Sequence, residues 1–289
     1  MDSLLGAEIL KTRKRWLPYV ILIVILIALA FQMFPAGYFS WTEAQEFDSH
    51  GRSDALRTFA LPWSITTLLD SGQFWGSIFV AVLTSSVVAT EFSWGTVRQA
   101  LVRGQSRSSY LTVKLLGIII IAATLLLAGL FAGILLSIIT TAIAGEPITL
   151  DVRGGPSIPE IGLMILRAGF GIVPYGLMAF TLTVVGRSTA LGLTGVLIFL
   201  FGEAITISIL ESIGGVAADL RDFSIGDNAA SLLAANRIGP GSYHSLAPRE
   251  HPIAADLPDI WLATFVLALY CLAFLAIAYF AFQRRDLKA

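Results

Sequence analysis

The 289-residue chain is 56% hydrophobic and only 13% charged, with a formal net charge of −1 and a mean hydropathy of +0.78. A water-soluble domain of this length needs roughly a quarter of its residues charged to cover its surface. The composition excludes that class and predicts an all-α, polytopic membrane protein.

Residues 1–16 contain SLLGAEILKTRKRW, which reads as an interfacial helix. Leu5, Ile9 and Trp16 fall near one face, and Lys11, Lys14 and Arg15 are placed for lipid head groups. The plainer reading is an ordinary positively charged anchor on the cytoplasmic side.

A helix needs about 20 mostly apolar residues to cross the hydrocarbon core. Six stretches meet that length, over about 17–35, 74–90, 113–144, 161–185, 190–210 and 260–282. The first is expected to end at Pro35, since proline breaks the helical hydrogen-bond ladder. It is too long for a cleaved signal peptide and is followed by no small-residue cleavage site. The third exceeds one crossing, so it tilts or projects.

The segment 36–73 is acidic at first and turns apolar through LRTFALPWSITTLL, while 211–259 is a long connection rich in Gly and Pro. Within the latter, AASLLAANRIG predicts a short helix dipping onto the membrane surface, in a small ordered cap. Trp41, Trp63, Trp75, Trp94 and Trp261 fall near the expected membrane interfaces, as belt residues do.

The distribution of charge carries more information than its sum. The N-tail, the 91–114 loop, the 186–189 turn and the C-tail hold twelve cations and four acids. The segments 36–73, 145–160 and 211–259 hold six cations and fifteen acids. Cations accumulate on the cytoplasmic side, so the prediction is six spans with both termini in the cytoplasm. The whole of 1–289 reads as a single transmembrane domain of the cytoplasmic membrane.

Two charges fall inside spans. Arg167 sits in LMILRAGFGIVPYG, about 10 Å from the outer face at 1.5 Å per residue, and Glu203 in IFLFGEAITI, about 12 Å from the same face. Each costs about 2.5–3.5 kcal/mol near a helix centre. Matching depths on successive helices predict an ion pair, which either fixes packing or lines the outer end of a substrate path. Gly171, Pro174 and Gly176 make span four a candidate hinge, against the alternative of ordinary close packing.

The loop TEFSWGTVRQALVRGQSRSSYLTVKLLG places Arg98, Arg103, Arg107 and Lys114 against one acid, Glu91. Gly95 and Gly104 bracket VRQALVR, which predicts a short helix parallel to the membrane, and Ser106 or Ser108 is placed to cap the third span. As a bare topology signal the cations need no such arrangement. A glycine-bounded cationic helix facing the cytosol suits a docking surface.

The pattern E-x-x-x-G-T-x-R-x-x-L-x-x-G-x-S-R-x-x-x-L-x-x-K, from Glu91 to Lys114, resembles the first cytoplasmic loop of type-2 permeases of ABC exporters. The segment E-x-x-K-x-x-K-R-W, from Glu8 to Trp16, is similar to the N-terminal helix of the same family. The resemblance is sharp over about forty residues and architectural over the rest. It implies a permease subunit whose loop touches a separate ABC ATPase subunit. Glu91, Gly95, Thr96, Arg98, Arg103, Gly104, Arg107 and Lys114 are then the docking set, with Glu91 paired to one of the arginines or to the ATPase. It also implies a second permease chain, giving a homodimer or a related heterodimer, and favours export over import.

The chain has no G-x-x-x-x-G-K-[ST] phosphate loop, so ATP would be bound by the partner. No catalytic residue, cofactor, metal or nucleic-acid partner is expected. His50, His244 and His251 lie in outer segments without metal-ligand spacing, and no GxSxG or HExxH accompanies them. Cys271, the single cysteine, excludes an intramolecular disulfide. The alternatives to an ATP-driven permease are a secondary transporter or channel, or a membrane subunit that does not transport. Coupled carriers usually carry several intramembrane acids or matched repeats, and neither is found here.

Overall fold

The computed structural model describes residues 2–44, 56, 58–61, 64–148, 158–213, 220–237 and 257–284. Among them there is no strand. The helices in chain order are α1 (Asp2–Arg13), α2 (Leu17–Met33), α3 (Ser40–Ala44), α4 (Ser64–Ser93), α5 (Thr96–Val102) and α6 (Arg107–Ile143). There follow α7 (Ile158–Gly186), α8 (Thr189–Ile213), α9 (Ile225–Arg237) and α10 (Ile260–Arg284). Six helical stretches are long and apolar enough to cross a membrane: Leu17–Glu43, Ser64–Ser93, Arg107–Ile143, Pro159–Gly186, Thr189–Leu210 and Ile260–Arg284.

The first of these does not end at Pro35. The chain passes from α2 through a π-helical segment, Phe34–Phe39, directly into α3. Proline lacks an N–H and crowds the preceding turn. A wider π turn absorbs that defect without stopping the helix. Gly37, in this segment, lies against Phe59, where an added Cβ would come within 3.0 Å. Trp41 is accordingly a core residue, not a belt residue: it is buried and packs edge-on against Phe59 at 6.1 Å. Trp75, Trp94 and Trp261 are exposed, as belt residues are, and Trp63 lies outside the described residues.

The second span starts at Ser64, ten residues before the apolar run suggests. Its first turns carry Ser64 and Ser71, which lower the hydropathy but find partners inside the bundle. Ser64 and Ser137 hydroxyls lie 2.7 Å apart, and the Gln32 amide of α2 donates to Ser71 Oγ at 2.9 Å. Satisfying polar groups within the protein is what permits them at this depth. The third span starts at Arg107, and its 37 residues extend about 55 Å at 1.5 Å per residue, well beyond a 30 Å core.

Helix α7 is the centre of the bundle. Within its most apolar window 72% of residues are buried, against 6% for α8, which therefore lies at the periphery. Gly176 lets α7 approach α4 so closely that an added Cβ would meet Val80 Cγ1 at 2.8 Å. Helix α9 is not a surface element. Ile225, Ala229, Leu232 and Leu233 are buried, and it packs against α7 and α10.

Candidate functional site

The helix expected between the second and third spans is present as α5. Gly95 before it and Gly104 after it both have left-handed backbones, φ 69° and 88°, a conformation cheap only for glycine. Gly104 N–H donates to Leu101 O at 3.0 Å and Gln105 N–H to Ala100 O at 3.3 Å, the paired bonds of a Schellman stop. Ser106, not Ser108, then caps α6, its hydroxyl accepting from Ser109 N–H at 3.2 Å. Val97 is buried beneath α5, while Arg98, Arg103 and the 81%-exposed Val102 face outward.

Below α5 lies a buried charge network. Glu91, at the foot of α4, is 1% exposed, and Lys114, on α6, is 3% exposed. Their charged atoms lie 2.8 Å apart. Lys11 of α1 also binds the Glu91 carboxylate, Glu8 of α1 binds Lys114, and the Tyr110 hydroxyl donates to Glu91. Two acids thus balance two ammonium groups, and three helices meet at one point. Burial, and then the neighbouring Lys114 charge, lower the pKa of Lys11 below the usual lysine range. Thr96 Oγ1, in the first turn of α5, donates to the backbone carbonyl of Glu91 at 3.2 Å, so α5 is fastened to the turn of α4 that carries the network's acid.

This arrangement corrects several expectations. Glu91 pairs with lysines, not with an arginine of the loop, because Arg98 and Arg103 face outward and Arg107 is engaged by α10. Lys114 is an internal residue, not a surface contact. Lys11 reaches into the protein instead of toward lipid, whereas Lys14 is exposed. Arg107 donates to Phe282 O at 3.2 Å and Gln283 O at 2.7 Å, so it closes the C-terminal end of α10. A cation there meets the negative end of the helix dipole and carbonyls without helical partners. Of the eight expected docking residues, Arg98 and Arg103 remain the charged ones on the outer face of α5.

Arg167 and Glu203 do not pair with each other. Glu203 accepts from Ile225 N–H at 2.6 Å and Gly226 N–H at 3.1 Å, with Tyr175 OH at 3.4 Å. Arg167 Nη1 donates to Ala235 O and Asn236 Oδ1, each at 3.3 Å. Both charges are taken up by α9, which the depth argument could not include. Gly171, Pro174 and Gly176 all lie within continuous α7, and both glycines serve close approaches, Gly171 to Ala229 of α9 and Gly176 to Val80. His50, His244 and His251 lie outside the described residues, and among the described residues no group of three or more metal-ligating side chains occurs.

The sequence reading missed the Glu8–Lys114 and Lys11–Glu91 ties. A signal was present: Glu8 and Glu91 are two of only four acids in the cation-rich set, and acids placed there invite pairing.

Six apolar helices, with α7 the most buried of them, are the make-up of a multi-pass helical membrane protein. The chain belongs to the family described as "Protein of unknown function (DUF2705)", whose model matches residues 21–216. It is similar to the uncharacterized protein YhcI of Bacillus subtilis (strain 168), with 26% identity over 235 residues that cover 78% of this chain and 69% of that protein. No solved structure matches the chain.

Proposed function

We propose that the chain is the permease subunit of an ATP-driven ABC exporter in the cytoplasmic membrane, with both termini in the cytoplasm. The observation that carries the reading is α5. It is closed at both ends by left-handed glycines, it turns Arg98, Arg103 and Val102 outward, and its foot rests on the buried Glu91 network. An exposed valine between two arginines suits a protein partner better than water.

In this reading a separate ABC ATPase subunit docks on α5, and α1 lies along the cytoplasmic membrane surface beside it. ATP-driven closure of the partner displaces α5, and the Thr96–Glu91 contact passes the displacement to α1, α4 and α6 together. A second permease chain, identical or related, completes the path. The resemblance of residues 91–114 to exporter loops supports the same assignment.

The test is recovery of the detergent-solubilised chain from its native membrane, comparing wild type with Arg98→Glu/Arg103→Glu and identifying the bound proteins by mass spectrometry. A P-loop ATPase that accompanies wild type and is lost from the variant is expected. An intact chain that brings no ATPase in either form would overturn the proposal in favour of a carrier or channel.

A further inference from the structure

Helix α8 is held at its two halves by different means. In the half near Thr189 it packs directly on its neighbours, where Gly192 lies flat against Thr183 and Ser85, and Gly195 against Leu182. Glu203 is fourteen residues on, about 21 Å along the axis. Past Phe199 and Leu200, which still pack on the buried core, Ile205, Ile209 and Ile213 are exposed, and the ring contact to α4, Phe201 on Phe74 at 6.2 Å, is itself half exposed. The polar tie there is Glu203 on the first amides of α9.

Helix α9, by contrast, is fastened firmly to α7 and α10. Arg167 holds its last turn, Asn236 Nδ2 donates to Met164 O at 3.3 Å, and Ser231 donates to Pro258 O at 2.6 Å. Tyr270 of α10 donates to Phe223 O just before it, and Ala229 meets Gly171 on α7. The arrangement is asymmetric. Losing Glu203 would leave α9 in place and free α8; losing Arg167 would loosen α9 from α7.

We propose that Glu203 is a latch through which α9 holds the far half of α8 against the bundle, and that its release lets this half of α8 swing outward at the end opposite α5. The geometry suits a reversible hold. A carboxylate on two amides at a helix N-terminus is a charge-assisted contact that lacks any covalent or apolar interlock. Gly226 carries no Cβ to hinder departure or return of the carboxylate, which lies 3.1 Å from where that Cβ would be. The long Tyr175 contact is a minor limb, because 3.4 Å is beyond a good hydroxyl–carboxylate bond. This inference concerns the chain by itself and does not depend on an ATPase partner.

The experiment uses the full chain, with Cys271→Ser removing the single native thiol, reconstituted in lipid bilayers. Spin labels at Leu166→Cys on α7 and Ile205→Cys on α8, both exposed positions, report the α7–α8 distance by pulsed electron resonance. Separately, a Gly171→Cys/Ala229→Cys pair reports α9 docking by disulfide formation, since an added Cβ at Gly171 comes within 3.3 Å of the Ala229 Cβ, close to the roughly 3.5 Å lower bound of disulfide geometry. With Glu203→Ala the expected result is a longer and broader α7–α8 distance while the disulfide still forms as in wild type; Tyr175→Phe leaves both readouts unchanged. An unchanged α7–α8 distance in Glu203→Ala overturns the proposal. If Glu203→Ala does not fold, Glu203→Gln decides: it loses the charge and turns one of the two accepting oxygens into a donor that faces an amide N–H, so a broadened distance supports the latch and an unchanged one overturns it.

Discussion

Arg167 and Glu203 grip opposite ends of α9 and do not touch each other. The acid sits on the amides of Ile225 and Gly226, and the base sits on Ala235 O and the Asn236 side chain. About ten residues, or 15 Å of helix, separate the two contacts. Each sign meets the helix end of opposite polarity. A helix-dipole contact of up to about 2 kcal/mol and a charged hydrogen bond of about 1.5–3 kcal/mol together offset an insertion cost of about 2.5–3.5 kcal/mol for each charge.

A charge swap tests this directly. If the two residues formed a pair, Arg167→Glu/Glu203→Arg would restore what each single change loses. With α9 between them, the swap instead places a cation on helix amides and an anion on helix carbonyls. The double variant is therefore expected to be less stable than either single variant, with roughly additive losses as for sites without shared atoms. Thermal unfolding of the detergent-solubilised protein reads the result.

The Glu91 network should behave as a buried set of charges whose members depend on one another. Removing one partner of a buried pair leaves an uncompensated charge and costs about 3–5 kcal/mol. Glu91→Ala and Lys114→Met are each expected to lower stability by that order. The double change should cost less than the sum, because neither charge is then left facing the other's vacancy. A double-variant cycle on midpoint temperatures measures the difference.

Gly117 gives a route to α1 that leaves every charge in place. An added Cβ at this position meets Glu8 Cγ at 2.9 Å. Gly117→Ile should therefore push Glu8 off Lys114 and lift α1 from α6. Faster proteolysis after Lys11 or Arg13, with the spans intact, is the expected outcome. Unchanged cleavage would show that α1 tolerates the side chain.

Gly104→Ala tests the shape of the loop apart from its charge. At φ 88° an alanine is strained, and the expected loss is about 1 kcal/mol, localised to the Schellman stop that ends α5. In the pull-down, this variant should recover less ATPase than wild type although Arg98 and Arg103 are untouched. Equal recovery would separate the glycines from docking.

Much of the fold is legible in the sequence because lipid enforces a simple code. Runs of apolar residues near Tyr19, Ile120 or Phe265 announce helices without help from distant partners. The start of α4 is not legible this way, since Ser64 and Ser71 look like loop residues until Ser137 and Gln32 are placed beside them. Pro35 misleads for a similar reason: a proline rule describes α geometry, and the chain there uses a π turn. In the site, glycine spacing foretells α5 and its caps because those bonds are local. The partners of Glu91, Arg107, Arg167 and Glu203 lie about 20 to 175 residues away. Only the packing of the helices brings them together, and neither spacing nor depth identifies them.

Arg107 has one more consequence, for the order in which the protein is made. Its partners are Phe282 O and Gln283 O, Tyr110 stacks on Phe282 at 5.9 Å, and Thr112 shares a hydrogen bond of 2.6 Å with Tyr279. The start of α6 is thus finished by a segment translated about 170 residues later. A nascent chain that stops before the last span has every residue of the 91–114 loop and none of this support. The local bonds of α5 can form in such a chain, but the anchoring of the start of α6 waits until synthesis has run through α10.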